Sequence, residues 1–366
     1  MSLLVLTASL TSAEQTFHSE HHDFKLTTIT DGLERPWALA FLPNGDFLIS
    51  ERVGRLRIVK DGQLKSKPLD GLPKNIYVEG QGGLLDVAIH PKFVTNNFVY
   101  ISYAGRGKGG ASTEVARGRL INNQLKDTET IFVVKPKTPG GYHYGSRLVF
   151  AADGTLFVTT GDRYDRLHDA QQPKNHLGSI IRINDDGSIP KDNPFVNHPS
   201  YQAEIFSYGH RNAQGITIRP SDKSIWSHEH GPRGGDEVNK LKVGANYGWP
   251  TITYGIDYSG AIISDKTHAP DMEQPVIYWD PSIAPSGMTF YTGERFPQWK
   301  GDLFVGALAL KHLRRLEMKG DNVTQQEVLL EGMARIRDVR NGPDGYLYIL
   351  TDEKNGKLLR LEPADQ

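Results

Sequence analysis

The sequence predicts an all-β protein, a six-bladed β-propeller whose blades are four-stranded antiparallel sheets. Three observations predict it. A Gly, Asp or Asn turn followed by a short β-branched or aromatic strand recurs six times: PNGDFLIS (Pro43–Ser50), NNFVYISY (Asn96–Tyr103), ADGTLFVTTGD (Ala152–Asp162), SDKSIWSHEHG (Ser221–Gly231), KGDLFVGAL (Lys300–Leu308) and PDGYLYILTDE (Pro343–Glu353). Many of these units run on into a second alternating strand, as in GRLRIVKDG (Gly54–Gly62), SIIRINDDG (Ser179–Gly187), LRRLEMKGD (Leu313–Asp321) and KLLRLEP (Lys357–Pro363). Convincing amphipathic helices are scarce. The average spacing of about 60 residues, with unequal insertions, is the period of propeller blades around a channel. A two-sheet sandwich suits so long a series of strand pairs poorly.

Composition narrows the function. Hydrophobic residues make up 38% and charged residues 23% of the 366, ordinary for a globular protein. The formal net charge of −1 gives no basic footprint for nucleic acid or anionic lipid. Cysteine is absent, which removes disulfides, thiolate metal sites, Cys nucleophiles and covalently attached c-type haem. No apolar run is long enough to span a bilayer. Leu3–Ala13 (LLVLTASLTSA) reads as the end of a secretory apolar region with a small-residue cleavage site, although a positive leader is missing. The expectation is a residual leader over 1–22, a single catalytic propeller over 23–366, and a periplasmic or secreted location.

The chemistry concentrates between Glu204 and Pro250, in EIFSYGHRNAQGI, HEHGPRGGDEVN and GANYGWP. Arg211 and Arg233 offer planar forks of donors that suit carboxylates or quinone oxygens. Asp236 and Glu237, beside glycine turns, offer the hard oxygen ligands that suit Ca²⁺. A long polar loop between strands would collect the same residue types.

Nine motifs in consistent order carry a family resemblance: RPWALAFLPNG (Arg35–Gly45), EGQGGLLDVAIHPKF (Glu79–Phe93), YHYGSRLVF (Tyr142–Phe150), TTGDR (Thr159–Arg163), GSIIRIN (Gly178–Asn184), YGHRNAQG (Tyr208–Gly215), EHGPRGGDEVN (Glu229–Asn239), NYGWP (Asn246–Pro250) and RIRDVRNGPDGYLY (Arg335–Tyr348). With them the chain resembles the soluble pyrroloquinoline quinone (PQQ)-dependent aldose sugar dehydrogenases of the glucose/sorbosone dehydrogenase family, from about Leu33 to Leu361. The likeness is nearer to the bacterial aldose enzymes than to the longer glucose-specific ones.

The resemblance implies roles residue by residue. His143 stands where the family has its catalytic base, and imidazole suits that task near neutral pH. Asp162 matches the carboxylate that orients the base, although by itself it reads equally as a turn residue. Gln81, Arg211, Asn212, Tyr258, Arg335 and Arg337 fall on the family's PQQ contacts. Arg335 and Arg337 flank Ile336, so a strand would turn both guanidiniums to one face. A family lysine is replaced by Ala309; Lys311, two positions on, would share that face if the segment were a strand. For Ca²⁺ the resemblance points to the carbonyls of Gly231 and Pro232 beside the quinone, and to Glu237 and the Tyr247 carbonyl at a supporting site.

The implied reaction is oxidation of the C1 hydroxyl of aldose sugars to aldonolactones, with an external electron acceptor because the chain has no haem motif. Short loops between the motifs imply a broad range of aldoses. Two other readings share the fold: a calcium-dependent, lactonase-like hydrolase, which would need several central carboxylates or amides, and a non-catalytic binding propeller.

Overall fold

The computed structural model describes residues 15–364. Each of the six recurring segments forms the second strand of its own antiparallel sheet: Phe47–Glu51, Phe98–Gly107, Leu156–Thr159, Ile225–Glu229, Leu303–Ala307 and Leu347–Thr351. The first strands, Pro36–Phe41, Leu84–Ile89, Leu148–Phe150, Ala213–Ile218, Pro285–Phe290 and Ile336–Asn341, touch one another in cyclic order, so blades 1 to 6 close a ring. The fold is the predicted six-bladed propeller. Regular helix is confined to short turns at Phe93–Asn96, Leu167–Gln171 and Pro297–Trp299 among the described residues.

The turn signal has a backbone cause. Gly45, Asn97, Gly154, Lys223, Gly301 and Gly345 occupy the same place in their blades, between first and second strands, and all have positive φ (56° to 94°). Gly and Asn adopt that conformation at least cost, which is why the recurring units open as they do.

Burial explains the strands. Six apolar clusters form the core, and each is shared by two neighbouring blades. Within one second strand, Leu48 packs toward blade 2 and Ile49 toward blade 6. A strand with both faces buried reads as a continuous apolar run, as FLIS, LFVT and LYIL do.

Neighbouring blades are also stitched together by side chains. Ser50 Oγ donates to the Leu85 carbonyl, Ser102 Oγ to Ser146 (2.6 Å), Thr159 Oγ1 to Ala213 (2.7 Å), His228 Nε2 to Ser286, and Ser286 Oγ to Ile336. At the axis the buried Arg147 lies 3.0 Å from Asp338 and 3.8 Å from Asp86, and donates to the carbonyls of Gln214 and Arg337. Arg340 closes this network, 2.9 Å from Asp338 and 3.0 Å from Asp86.

The ring is closed by the N-terminus. Phe24–Leu33 supplies the outer strand of blade 6, pairing with Gly356–Pro363. The expected leader boundary at residue 22 falls inside the folded body. Thr16–Phe17 adds a fifth strand to that sheet, the Glu20 carboxylate lies 3.1 Å from Arg315, and the His22 ring meets Trp299 edge-on at 5.3 Å. These contacts are polar and aromatic without periodicity, so no sequence pattern announces them. The leader segment Leu3–Ala13 lies outside the described residues.

Candidate active site

Where each blade's first strand begins and its second strand ends, the six blades together surround one cavity of about 320 Å³. Blade 1 contributes Arg35 and Arg52, blade 2 Gln81, blade 4 Asn212 and His230, and blade 6 Arg335, Arg337 and Asp352. The axial Arg147 network lies beneath, with Trp37 both lining the cavity and packing against the Arg147 guanidinium (4.0 Å). Four guanidiniums thus face Asp352, the only carboxylate among the residues lining this cavity.

His143 enters from blade 3, just ahead of its first strand. Its φ of 51° is unusual for a non-glycine residue, and its backbone N–H donates to Gln81 Oε1 (2.9 Å). Nδ1 lies 2.7 Å from Asp162 Oδ1. The Asp162 carboxylate is held in turn by Trp249 Nε1–H (2.8 Å) and the Tyr164 backbone N–H (2.8 Å). An ionised carboxylate accepts only, so Nδ1 carries the hydrogen and Nε2 keeps its lone pair. Both residues are buried. Burial lowers the His143 pKa from its ordinary 6.5; the Asp162 hydrogen bond pulls the other way, and nearby Arg211 adds to the lowering. The ring is therefore a neutral base at pH 7.

Arg211, buried beside the base, donates through Nη1 to the carbonyls of His230 (3.0 Å) and Gly231 (2.6 Å) and packs over the Trp249 ring (5.2 Å). Asn212 Oδ1 accepts the Gly145 N–H (3.0 Å), tying blade 4 to the histidine loop. Arg337 pairs with Asp352, and Arg335 lies 3.7 Å from the same carboxylate. Burial opposes the Asp352 charge, but Arg337, then Arg335 and Arg52, outweigh it and hold the carboxyl below its usual range. Ile336, between the two arginines, is buried in the core shared by blades 5 and 6.

Three of the four calcium candidates, Gly231, Glu237 and Tyr247, line a second, much smaller cavity of about 10 Å³ together with Arg211 and Glu229; Pro232 does not line it. Glu229 and Glu237 are direct cross-strand partners. Burial first, and the Glu229 charge second, hold the Glu237 carboxyl well above its usual range. The carbonyls of Pro232 and Tyr247 accept no hydrogen bond from described residues. The buried Glu229 and half-buried Glu237 carboxyls, with the unengaged Tyr247 carbonyl beside them, form a donor set that fits a hard divalent cation such as Ca²⁺. The four-arginine cavity likewise fits a planar polycarboxylate, since Arg337 Nε is buried there without a partner.

The structure moves two of the sequence-derived candidates to the margin. Tyr258 is 58% exposed and reaches the site only through the Arg211 guanidinium, 5.9 Å from its ring. Lys311 is exposed, in a tight turn with φ 52°, after the strand has ended at Ala307. The face-sharing argument for it fails because Ala309–Lys311 is a turn and not a strand. Sequence reasoning assigned no role to Arg35, Arg52, Glu229, His230, Trp249 or Asp352. Arg35, Glu229, His230 and Trp249 sit inside quoted motifs; Asp352 directly follows the last recurring strand.

A buried, carboxylate-held base beside a cationic cavity defines an enzymatic propeller with an anionic cofactor-sized site. The Glucose / Sorbosone dehydrogenase family model matches residues 33–360, and the chain belongs to that family of oxidoreductases. It is 44% identical to the Escherichia coli aldose sugar dehydrogenase YliI over 370 residues, 99% of this chain and 97% of that protein. A solved glucose dehydrogenase superposes with a TM-score of 0.90 at 46% identity, covering 92% of this chain and 99% of the other. The PQQ-bound form of an aldose sugar dehydrogenase from Streptomyces coelicolor superposes with a TM-score of 0.76 at 27% identity, covering 93% and 98%. The protein is a sugar dehydrogenase of this family.

Proposed function

We propose that the protein oxidises the C1 hydroxyl of aldose sugars to aldonolactones, with PQQ and Ca²⁺ as cofactors and an external electron acceptor. The observation that carries this reading is the arrangement of four guanidiniums around one cavity beside the His143–Asp162 pair. A lactonase-like site would need several central carboxylates, and Asp352 is already engaged by Arg337. When bound, PQQ supplies an ortho-quinone that accepts the hydrogen of C1 with its electron pair, and Ca²⁺ supplies a Lewis acid at its carbonyl.

The chain's own residues do the rest. Arg335 and Arg337 grip carboxylates through paired N–H donors. His143 Nε2 takes the proton of the C1 hydroxyl as the carbon is oxidised. Asp162, fixed by Trp249, keeps Nδ1–H in place and stabilises the imidazolium that forms. Arg211 places positive charge beside the base, favouring the developing alkoxide. The Gly231 and Pro232 carbonyls would hold a cation beside the quinone, and Glu237 with the Tyr247 carbonyl would serve a supporting site. The apolar Leu3–Ala13 segment supports a periplasmic or secreted setting, and no helix among the described residues is long and apolar enough to cross a membrane. Adding PQQ and Ca²⁺ to the purified protein and following sugar-dependent reduction of a dye tests the reading. Reduction with glucose, galactose and xylose is expected; none with any aldose would refute it.

A further inference from the structure

We propose that Arg35 and Arg52, both from blade 1, are anion-binding residues of the central cavity, so that a planar polycarboxylate is gripped by four guanidiniums from two blades. The inference rests on the cofactor reading above for the identity of that anion, and on the following geometry for the grip itself.

Both residues line the cavity, opposite no carboxylate but Asp352. Their backbones are locked to each other and to blade 6: the Arg52 N–H donates to the Arg35 carbonyl (3.0 Å), and the Arg35 N–H to the Glu353 carbonyl (2.9 Å). Arg35 holds φ at 51°, a conformation that costs a non-glycine residue energy and persists only where neighbours impose it. Arg52 is held from the other side by the EGQGG loop, whose Gly80 carbonyl accepts from Nη1. A Cβ on Gly83 of that loop would lie 1.7 Å from the Arg52 carbonyl, so only glycine permits this approach. Both backbones are thus fixed at the cavity wall, and the Arg52 guanidinium is anchored there by the Gly80 carbonyl.

They are also under-neutralised. Arg35 Nη1 lies 3.8 Å from Asp352, a carboxylate already paired with Arg337. Burial lowers the pKa of Arg52 and of Arg335; Asp352 pulls the other way, and repulsion from Arg337 and Arg35 adds to the lowering. A bound polyanion relieves that repulsion. The cation expected near Ala309 is not supplied by Lys311, which lies outside the cavity; the charge comes from blade 1 instead.

The test is an equilibrium titration read by tryptophan fluorescence, since Trp37 lines the cavity. Two probes are used: PQQ, and benzene-1,3,5-tricarboxylate, a planar tricarboxylate without a quinone. Arg35→Gln and Arg52→Gln are each expected to raise Kd for PQQ by about tenfold or more, as expected for a lost charge-assisted hydrogen bond. Both should flatten its salt dependence. Arg52→Lys should recover part of the loss, keeping the charge without the fork. Matching thermal midpoints show that the variants fold. Variants that bind PQQ like the wild type would overturn the inference. A wild type that binds the tricarboxylate through these arginines but not PQQ would keep the cradle and overturn the cofactor reading. Binding of neither probe would overturn both.

Discussion

His143 Nδ1 lies 2.7 Å from Asp162 Oδ1, inside a blade-to-blade junction that Trp249 closes by donating to the other carboxylate oxygen at 2.8 Å. Blade 3 supplies the base and its carboxylate, and the loop after blade 4's third strand supplies the indole. The tautomer of the base is therefore set by the packing of two blades.

His143→Ala is expected to lower kcat for sugar oxidation by about 10²–10⁴, the usual worth of a general base, with PQQ affinity nearly unchanged. Asp162→Asn should also lower kcat, because an amide can present its N–H to Nδ1 and favour the wrong tautomer. Steady-state rates on fully reconstituted protein, with cofactor binding measured separately, check both. Wild-type turnover in the His143 variant would remove the base assignment.

The pH profile follows from the lowered pKa of His143. Catalysis needs the neutral ring, so kcat/KM should be level across neutral pH and fall only once pH drops through the depressed pKa, below 6.5. In Asp162→Asn the acid limb should move lower still, since the carboxylate that favours the charged ring is gone. An acid limb above 6.5 in the wild type would contradict the burial of the base.

Calcium should be required after chelation, and Glu237→Gln should raise the Ca²⁺ concentration for half-maximal activity. The motive is the cross-strand Glu229–Glu237 pair beside the Gly231 and Tyr247 carbonyls. Activity measured against free Ca²⁺ decides it, and full activity of chelated protein would exclude the metal role.

Much of this architecture was legible in the sequence, for a physical reason. Second strands are buried on both faces and open with a left-handed turn residue, so they are apolar, punctuated and repeated. The site is legible only through motif resemblance, because its residues are contributed by strand ends of several blades, far apart in the chain. Arg52 follows an ordinary strand in LISER, and Asp352 an ordinary strand in ILTDE; neither local context shows that the two share a cavity with Arg335. Lys311 failed for the converse reason. A period of two holds only along a strand, and at Ala309–Lys311 the backbone turns, leaving Lys311 outside the cavity lining.

The inter-blade stitching also has a pH signature. His228 is fully buried, donating to the Ser286 carbonyl, and burial drives its pKa down to about 3. Between 6.5 and about 3 the unfolded chain binds a proton that the folded one does not, so stability falls as pH falls through that window and this contribution levels off below it. Denaturant midpoints at pH 7 and pH 4 should differ, and His228→Gln should reduce the difference. An unchanged pH dependence in that variant would show that His228 is not its source.

The central claim is that a sugar's C1 hydrogen leaves to a cofactor in the arginine-lined cavity while His143 takes the hydroxyl proton. Anaerobic mixing of PQQ- and Ca²⁺-loaded protein with excess glucose, without dye, tests it by following the cofactor's absorbance. The account predicts one reduction per bound PQQ, slower with glucose deuterated at C1, and suppressed in His143→Ala that retains the cofactor. An absorbance unmoved by glucose or any other aldose in fully loaded wild-type protein would contradict it.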